Sequence, residues 1–303
     1  MKNNTIVKKA LFPVAGMGTR MLPLTKVAAK ELLPVYNVPA LDILVEECMN
    51  AGIEEIIFVT SKGKDSIMDY FDALPELEEK LQKKVNAGDT ESMVRLQKIT
   101  KFKNMKFSSV RQAEQKGDGH AILQAKHLLK NEPFLVVFGD DLTFTNSSSV
   151  EAKKSSIQQL LEAYEIKQSS IVGVREVPVE TISSYGVVDI PNTGEKVNCI
   201  KNVIEKPSVE KAPSNQAIIG KYICTPDIWN GLENATTSAG GEIRLIDGFE
   251  QLLKDNISVS SCKIEGERFD AGNIKELFFA NVYTALKSGD VTKKEILDII
   301  DLV

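Results

Sequence analysis

The sequence has no CxxC pair, no long apolar run, and only two histidines and one tryptophan among 303 residues. Each shortage closes off a class of function. The four cysteines, Cys48, Cys199, Cys224 and Cys262, stand far apart, which argues against a zinc site or a disulfide framework and for a reduced, cytoplasmic setting. His120 and His127 have no carboxylate or third ligand at matching spacing, so they read as structural groups and not as metal ligands. No stretch approaches the roughly 18 consecutive apolar residues of a membrane span. Residues 1–9 are basic but have no apolar segment ahead of the first expected strand, so neither a signal peptide nor a membrane partner is expected. A net charge of −5 argues against non-specific nucleic-acid binding. It also means that an anionic ligand would need local cations, backbone N–H groups or a metal ion to overcome the global field.

What is present is ordinary for a soluble globular chain: 43% hydrophobic, 26% charged and 6% aromatic residues, enough for one large core or a main domain with appendages. Residues 8–14 predict a buried strand that ends in a Gly-rich turn. Residues 40–51 have helical periodicity with Gly52 as a C-cap. Short apolar runs at 56–60, 134–138 and 170–174 predict further strands, with a helix from about Gly119 to Leu129. Such alternation predicts an α/β fold, a doubly wound, mostly parallel (Rossmann-like) mixed sheet. Ligands on such sheets sit at the carboxyl ends of the strands, where the first Gly loop and Asp140 both fall.

Residues 74–107 interrupt the alternation. Leu74, Leu77, Leu81 and Val85 form a helical stripe broken at Gly88 and Asp89, predicting an inserted helical hairpin over one side of the site. The second half reads as a small β-rich part. Residues 185–190 and 197–200 flank a turn at 191–194, a hairpin signal, and Ile218 to Cys224 predicts another strand. The end of the chain, Lys293 to Val303, is apolar enough that burial on its own core or on a partner subunit is expected.

Four features could carry chemistry. The loop Ala15-Gly16-Met17-Gly18-Thr19-Arg20 follows a strand, and its backbone N–H groups could meet phosphate oxygens. A plain tight turn would look the same. The dinucleotide fingerprint would need a third glycine where Met21 stands and an acid near the end of the second strand, where Thr60 stands; the P-loop's Gly-Lys-Ser/Thr is absent. A Rossmann dehydrogenase is therefore excluded. Arg20 and Lys30 add two cations to a segment broken by Pro23 and Pro34. Gln112, followed by Gly117 and Gly119, could pair with a base edge where the backbone permits close approach, or could simply lead into a helix. Asp140 and Asp141 end a buried strand, where carboxylates are costly unless they bind water, a cation or a helix N-terminus; Mg²⁺ held by one or two carboxylates plus phosphates is a natural partner. Asp270 is a second isolated acid before a small turn, and spacing alone does not bring it to Asp140. Glu205 and Lys206 could meet sugar hydroxyls and a phosphate, or form an exposed turn with Pro207.

In combination and order these segments resemble the sugar nucleotidyltransferase family, over roughly residues 7–285. The matching stretches are 12–26, 30–34, 110–112, 117–121, 139–142, 185–188, 203–207, 212–215 and 269–273. The resemblance is to the branch that transfers a uridylyl group from UTP to glucose 1-phosphate, giving UDP-glucose and pyrophosphate. It implies one domain over 1–303, with 1–145 mainly binding nucleotide, 146–275 mainly binding sugar phosphate and 276–303 supplying C-terminal helices for a homodimer or homotetramer. It further implies that Ala15, Gly16 and Gln112 hold the base near Gly117, and that Gly18, Thr19, Arg20 and Lys30 face the triphosphate. Asp140 and Asp270 would hold Mg²⁺, Gly186 and Glu205 would meet the glucose ring, and Lys206 the sugar phosphate.

The attacking sugar phosphate is already an anion, so charge neutralisation and positioning, not a general base, would carry the reaction. The thymidylyltransferase branch shares the first motif, but it usually differs at 119–121 and lacks an insertion like 74–107. A non-catalytic, regulatory relative that binds nucleotide sugar is the other alternative. The chain departs from the family pattern at Asn37-Val38-Pro39, usually Asp-Lys-Pro, and at Arg244 and Ile246, usually Gln and Thr. A further, mild change is Ala271 for the usual Cys.

Overall fold

A computed structural model of the protein describes residues 6–129, 131–145, 154–191, 194–236 and 241–302. Residues 1–5, Asn192 and Thr193 of the expected turn, and Val303 lie outside it. The strands are β1 (Lys9–Pro13), β2 (Pro34–Val35), β3 (Val38–Pro39), β4 (Glu55–Thr60), β5 (Lys106–Arg111), β6 (Phe134–Val137), β7 (Asp141–Phe144) and β8 (Ser170–Glu176). After these come β9 (Gly186–Asp189), β10 (Val197–Cys199), β11 (Asn202–Glu205), β12 (Gln216–Cys224), β13 (Val259–Lys263) and β14 (Glu267–Asp270). The helices are α1 (Ala40–Asn50), α2 (Ser66–Phe71), α3 (Pro75–Asn86), α4 (Thr90–Thr100), α5 (Asp118–Gln124) and α6 (Lys126–Leu129). They continue with α7 (Ser156–Lys167), α8 (Ile228–Asn234), α9 (Leu245–Lys254), α10 (Ile274–Ser288) and α11 (Lys293–Ile300).

The main sheet runs β10-β13-β8-β12-β6-β1-β4-β5, with β9 and β11 attached beside β12. β6, β1, β4 and β5 are parallel, with Lys9 opposite Glu55 and Glu55 opposite Lys106. β12 runs antiparallel to both β6 and β8. All its residues are buried, which fits a strand covered on both faces. Its Lys221 is fully buried, donating to Ser156 Oγ at 2.6 Å and to Glu47 at 3.1 Å.

The period of two along each strand divides the core between the two faces. Ala10, Phe12, Ile56 and Phe58 pack on the α1 and α7 side. Leu11, Ile57 and Val59 pack on the α5, α8 and α9 side. Each such side chain contributes about 1.5–3 kcal/mol on burial. Strand and helix order thus produces the doubly wound mixed sheet that the sequence predicts. No helix among the described residues is long and apolar enough to cross a membrane.

Three local expectations need correction. The helix expected at 119–129 is two short ones, broken at Ala125, whose N–H turns back to Ile122 O. The expected hairpin between 185–190 and 197–200 does not form: β9 pairs with β11, Gly186 opposite Glu205, while β10 pairs with β13. The turn chemistry is compatible with either partner, and tertiary pairing drew β10 onto the edge of the main sheet, covering β13.

The inserted hairpin does form as α3 and α4, with Asp89 accepting from Ser92 N to cap α4. It contributes no lining residue to the cleft described below. Leu81 alone of its stripe is buried, and Lys101 ties its base to Asp42 and Glu46 of α1. Of the two settings expected for the end of the chain, its own core or a partner subunit, the described residues do not provide the first: Leu297, Ile299 and Ile300 are 48%, 60% and 61% exposed. Gly289 ends α10 in the left-handed region and Thr292 caps α11, so local signals complete this helix without core contact.

Candidate active site

The carboxyl ends of β1 and β6 open onto a cleft of about 760 Å³. It is lined by, among others, Ala15, Gly16, Arg20, Lys30, Gln112, Gly117, Asp140, Gly186, Glu205, Lys206 and Asp270. Residues nominated from eight separate stretches of chain are thus brought together. Gly18 and Thr19 are not among the lining residues. Gly18, left-handed at φ 66°, closes the 3₁₀ turn Thr19–Met21 that carries Arg20, and its carbonyl accepts from Thr25 Oγ1 at 2.8 Å.

After β1, the Ala15 carbonyl accepts from Ser61 Oγ at 2.8 Å and Gln115 Nε2 at 2.9 Å. Gln112 is buried, and its amide nitrogen lies 3.0 Å from Gly117 O and 2.9 Å from His120 Nδ1. Both amide hydrogens are therefore engaged, and the group Gln112 can offer a ligand is its carbonyl oxygen. His120 thereby supports Gln112, and burial holds the ring below its ordinary pKa. His127 is exposed on α6.

Gly117 adopts φ 94°, and a Cβ there would overlap Ile243 O, so glycine is required for the close approach of the 243–245 segment. Asp118 Oδ1 accepts from Leu245 N at 2.6 Å, clamping the start of α9 onto the start of α5. Burial pushes the Asp118 pKa up to about 6, against the pull of the Leu245 bond. A carboxyl raised in the folded state loses stability as pH rises from its unfolded pKa through the folded one. Between about pH 4 and 6, the wild-type Tm should therefore fall relative to Asp118→Asn; parallel melting curves would remove this assignment.

Beyond β6, Lys30 is ion-paired with Asp140. Burial opposes both charges, but the pair outweighs it: the Lys30 pKa lies above, and the Asp140 pKa below, its ordinary value. β14 pairs with β7, Asp270 opposite Asp141, and Ala271 N donates to Asp140 O at 2.8 Å. The two acids converge over Gly272, where a Cβ would overlap Asp140 Oδ2 and lie 2.9 Å from Asp270 Oδ1. Burial, and then Asp140, push the Asp270 pKa up. Two convergent carboxylates with the adjoining space kept open by a glycine fit a hard divalent cation whose remaining ligands come from phosphates and water. Among the described residues no cluster of three or more metal-ligating side chains exists. Asp141, adjacent in sequence and also at the cleft wall, is taken up by the protein itself, paired with Arg268 at 2.6 Å and accepting from Gly220 N at 3.0 Å.

Elsewhere in the cleft, Lys206 has φ 45°, its N–H bonded to Tyr185 O at 3.0 Å and its ammonium 3.8 Å from Glu205. Glu205 also faces Arg244 Nη1 at 3.2 Å.

Sequence reasoning missed Glu31 and Lys64, a fully enclosed pair at 2.7 Å behind Lys30, and Arg268 and Gln115. No spacing signal marks any of them. Arg244 was visible only as a departure from a family pattern.

A chain with this fold and a cleft of paired acids and cations at the strand ends is a nucleotidyltransferase. It belongs to the family described as nucleotidyl transferase, which matches residues 9–286. It is 41% identical over 266 residues to the UTP–glucose-1-phosphate uridylyltransferase of Bacillus subtilis (strain 168), covering 88% of this chain and 87% of that one. UTP–glucose-1-phosphate uridylyltransferase 1 of Staphylococcus saprophyticus is 40% identical over 294 residues, covering 97% and 98%. A crystal structure of UDP-glucose pyrophosphorylase complexed with UDP-glucose has TM-score 0.82 and 37% identity, covering 93% of this chain and all of that one. UTP-bound UGPase from Acinetobacter baumannii has TM-score 0.83 and 33% identity, covering 98% of both chains.

Proposed function

We propose that this enzyme transfers a uridylyl group from UTP to α-D-glucose 1-phosphate, giving UDP-glucose and pyrophosphate. The observation that carries the reading is the meeting of Asp140 and Asp270 over Gly272, in the cleft that Gln112 and the Glu205-Lys206 pair also line. A phosphate oxygen of the sugar phosphate attacks the α-phosphorus of UTP in line; the new O–P bond forms as the bond to pyrophosphate breaks.

In this reading Ala15, Gly16 and Gly117 seat the base. The Gln112 carbonyl accepts from the N3–H of uracil, the one ring donor on that edge. Arg20 and Lys30 neutralise the phosphates and the departing pyrophosphate, with Gly18 and Thr19 shaping the turn that presents Arg20. Glu205 accepts from sugar hydroxyls beside Gly186, and Lys206 meets the sugar phosphate. Asp140 and Asp270 would hold Mg²⁺, which when bound supplies positive charge against the substrate phosphates. One divalent ion, three cations and the loop amides outweigh a net −5 spread over the surface, because distant charges are screened beyond about 8–10 Å. The apolar, uncovered α11 supports a homodimer or homotetramer.

Pyrophosphate release from UTP and glucose 1-phosphate tests the reaction, run beside a panel of nucleoside triphosphates. Faster turnover with dTTP would move the chain to the thymidylyltransferase branch. Binding of UDP-glucose without any release would make it a regulatory relative. Lys206→Ala is expected to raise the KM for glucose 1-phosphate roughly tenfold, with the KM for UTP within about twofold, as loss of a contact to one substrate requires. The opposite pattern in steady-state kinetics would remove Lys206 from the sugar-phosphate end.

A further inference from the structure

Arg244 sits at the start of α9 with its backbone held on three sides. Its N–H donates to Asp247 Oδ2 at 2.8 Å, and the next N–H donates to Asp118. Its carbonyl carbon packs so closely on Gly119 that a Cβ there would come within 2.7 Å of it. From this anchored root the side chain reaches along the cleft wall, and Nη1 stops 3.2 Å from Glu205 Oε1. The other carboxylate oxygen, Oε2, lies over Gly186, 3.1 Å from where a Cβ would stand. Ile246 Cδ1 closes the opposite side of Gly186, 2.8 Å from the same point.

The two oxygens of Glu205 therefore face different partners. The terminal torsion of a free glutamate is broad, so its carboxylate could turn to suit hydroxyls in several configurations. A carboxylate paired on one oxygen with an anchored guanidinium cannot turn so freely. Lys206 approaches the same oxygen at 3.8 Å, but on a flexible stem that is 61% exposed; it supplies charge without fixing an angle.

We infer that Arg244 is a specificity-determining residue of the sugar end of the cleft: by holding Oε1 of Glu205 it fixes the carboxylate so that Oε2 meets the ring hydroxyls in one configuration. Arg244 acts through Glu205 and is a positioning residue. The inference rests on the reading of Glu205 as the group that meets the sugar.

The test compares glucose 1-phosphate with its epimers, galactose and mannose 1-phosphate. In Arg244→Ala the preference for the favoured sugar, as a ratio of kcat/KM values, is expected to fall roughly tenfold for at least one epimer, the size of a misplaced polar contact. The KM for UTP should stay within about twofold. In a Glu205→Gln background, Arg244→Ala should change the ratio less than threefold, because the carboxylate being held is gone. Unchanged ratios in Arg244→Ala, or an equal change in both backgrounds, would overturn the inference. Arg244→Gln keeps a polar side chain at the helix start should the alanine variant fold poorly.

Calorimetric titration of UDP-glucose and UDP-galactose into the wild-type and variant proteins reads the same discrimination as a Kd ratio without turnover. If the wild type releases no pyrophosphate with any hexose 1-phosphate, the proposed reaction fails, while the Kd ratios still decide whether Arg244 sets the preference.

Discussion

Asp270→Ala is expected to lower kcat/KM for pyrophosphate release by roughly 10³ while leaving the Tm unchanged or raised, the combination expected when a charge-positioning group that is buried beside a like charge is removed. The signs follow from the pKa shifts. Asp270 is raised by burial and by Asp140, so its ionised form is disfavoured in the folded state, and the stability it contributes falls as pH climbs above the unfolded carboxyl pKa. Its removal relieves that cost at neutral pH. Asp140 is the converse. Its pKa is depressed by Lys30, so its contribution is present above the unfolded pKa and is lost as pH falls through the folded one. Asp140→Ala should therefore lose activity to a similar degree and also about 2 kcal/mol of stability, since it leaves Lys30 half-buried without its partner. Near-normal turnover in both variants would remove the acids from the reaction. A Tm that falls equally in both would make them ordinary structural carboxylates.

Glu31→Gln is expected to be the most destabilising single change near the cleft, by about 3–5 kcal/mol, because it leaves the Lys64 ammonium enclosed without a counter-charge. Glu31 is 1% exposed and lies beneath Gly139, its Cγ 2.7 Å from where a Cβ on that glycine would stand. Burial pushes the Glu31 pKa up and the Lys64 pKa down, each against the attraction of its partner. Both shifts favour the neutral forms, so the charged pair is costly to enclose. The double variant Glu31→Gln/Lys64→Met should recover most of the lost stability, or exceed the wild type. Guanidinium denaturation of the two single variants and the double gives the coupling directly. Additive losses would mean that the two side chains stabilise the fold separately.

The parts of the fold legible from sequence were those with a strong local signal. The runs at 9–13, 55–60 and 134–137 are strands because continuous apolar residues bounded by turns fit a sheet covered on both faces. The α3–α4 hairpin followed from its stripe and the Gly88-Asp89 break. Partner choice was not legible: β9 prefers β11 to β10, which covers β13 instead. Nor was the environment of α11, whose apolar residues meet no core of this chain. A similar division runs through the site. Arg20, Lys30, Gln112, Asp140, Glu205, Lys206 and Asp270 could be nominated from residue type and order. Glu31, Lys64, Arg268 and His120's support of Gln112 could not, because each depends on a partner set by packing.

By itself the sequence determined the strand–helix alternation, the Gly-rich turn after β1 and the chemical types available at the strand ends, all of which depend on neighbours along the chain. Only the tertiary structure decided that Asp140 pairs with Lys30 while Asp141 is taken up by Arg268, that Asp270 meets Asp140 over Gly272, and that Arg244 holds Glu205. Those outcomes depend on which strands pair and in what register: the pairing of β14 with β7 sets Asp270 opposite Asp141, and a one-residue slip would turn every side chain of the strand to the other face.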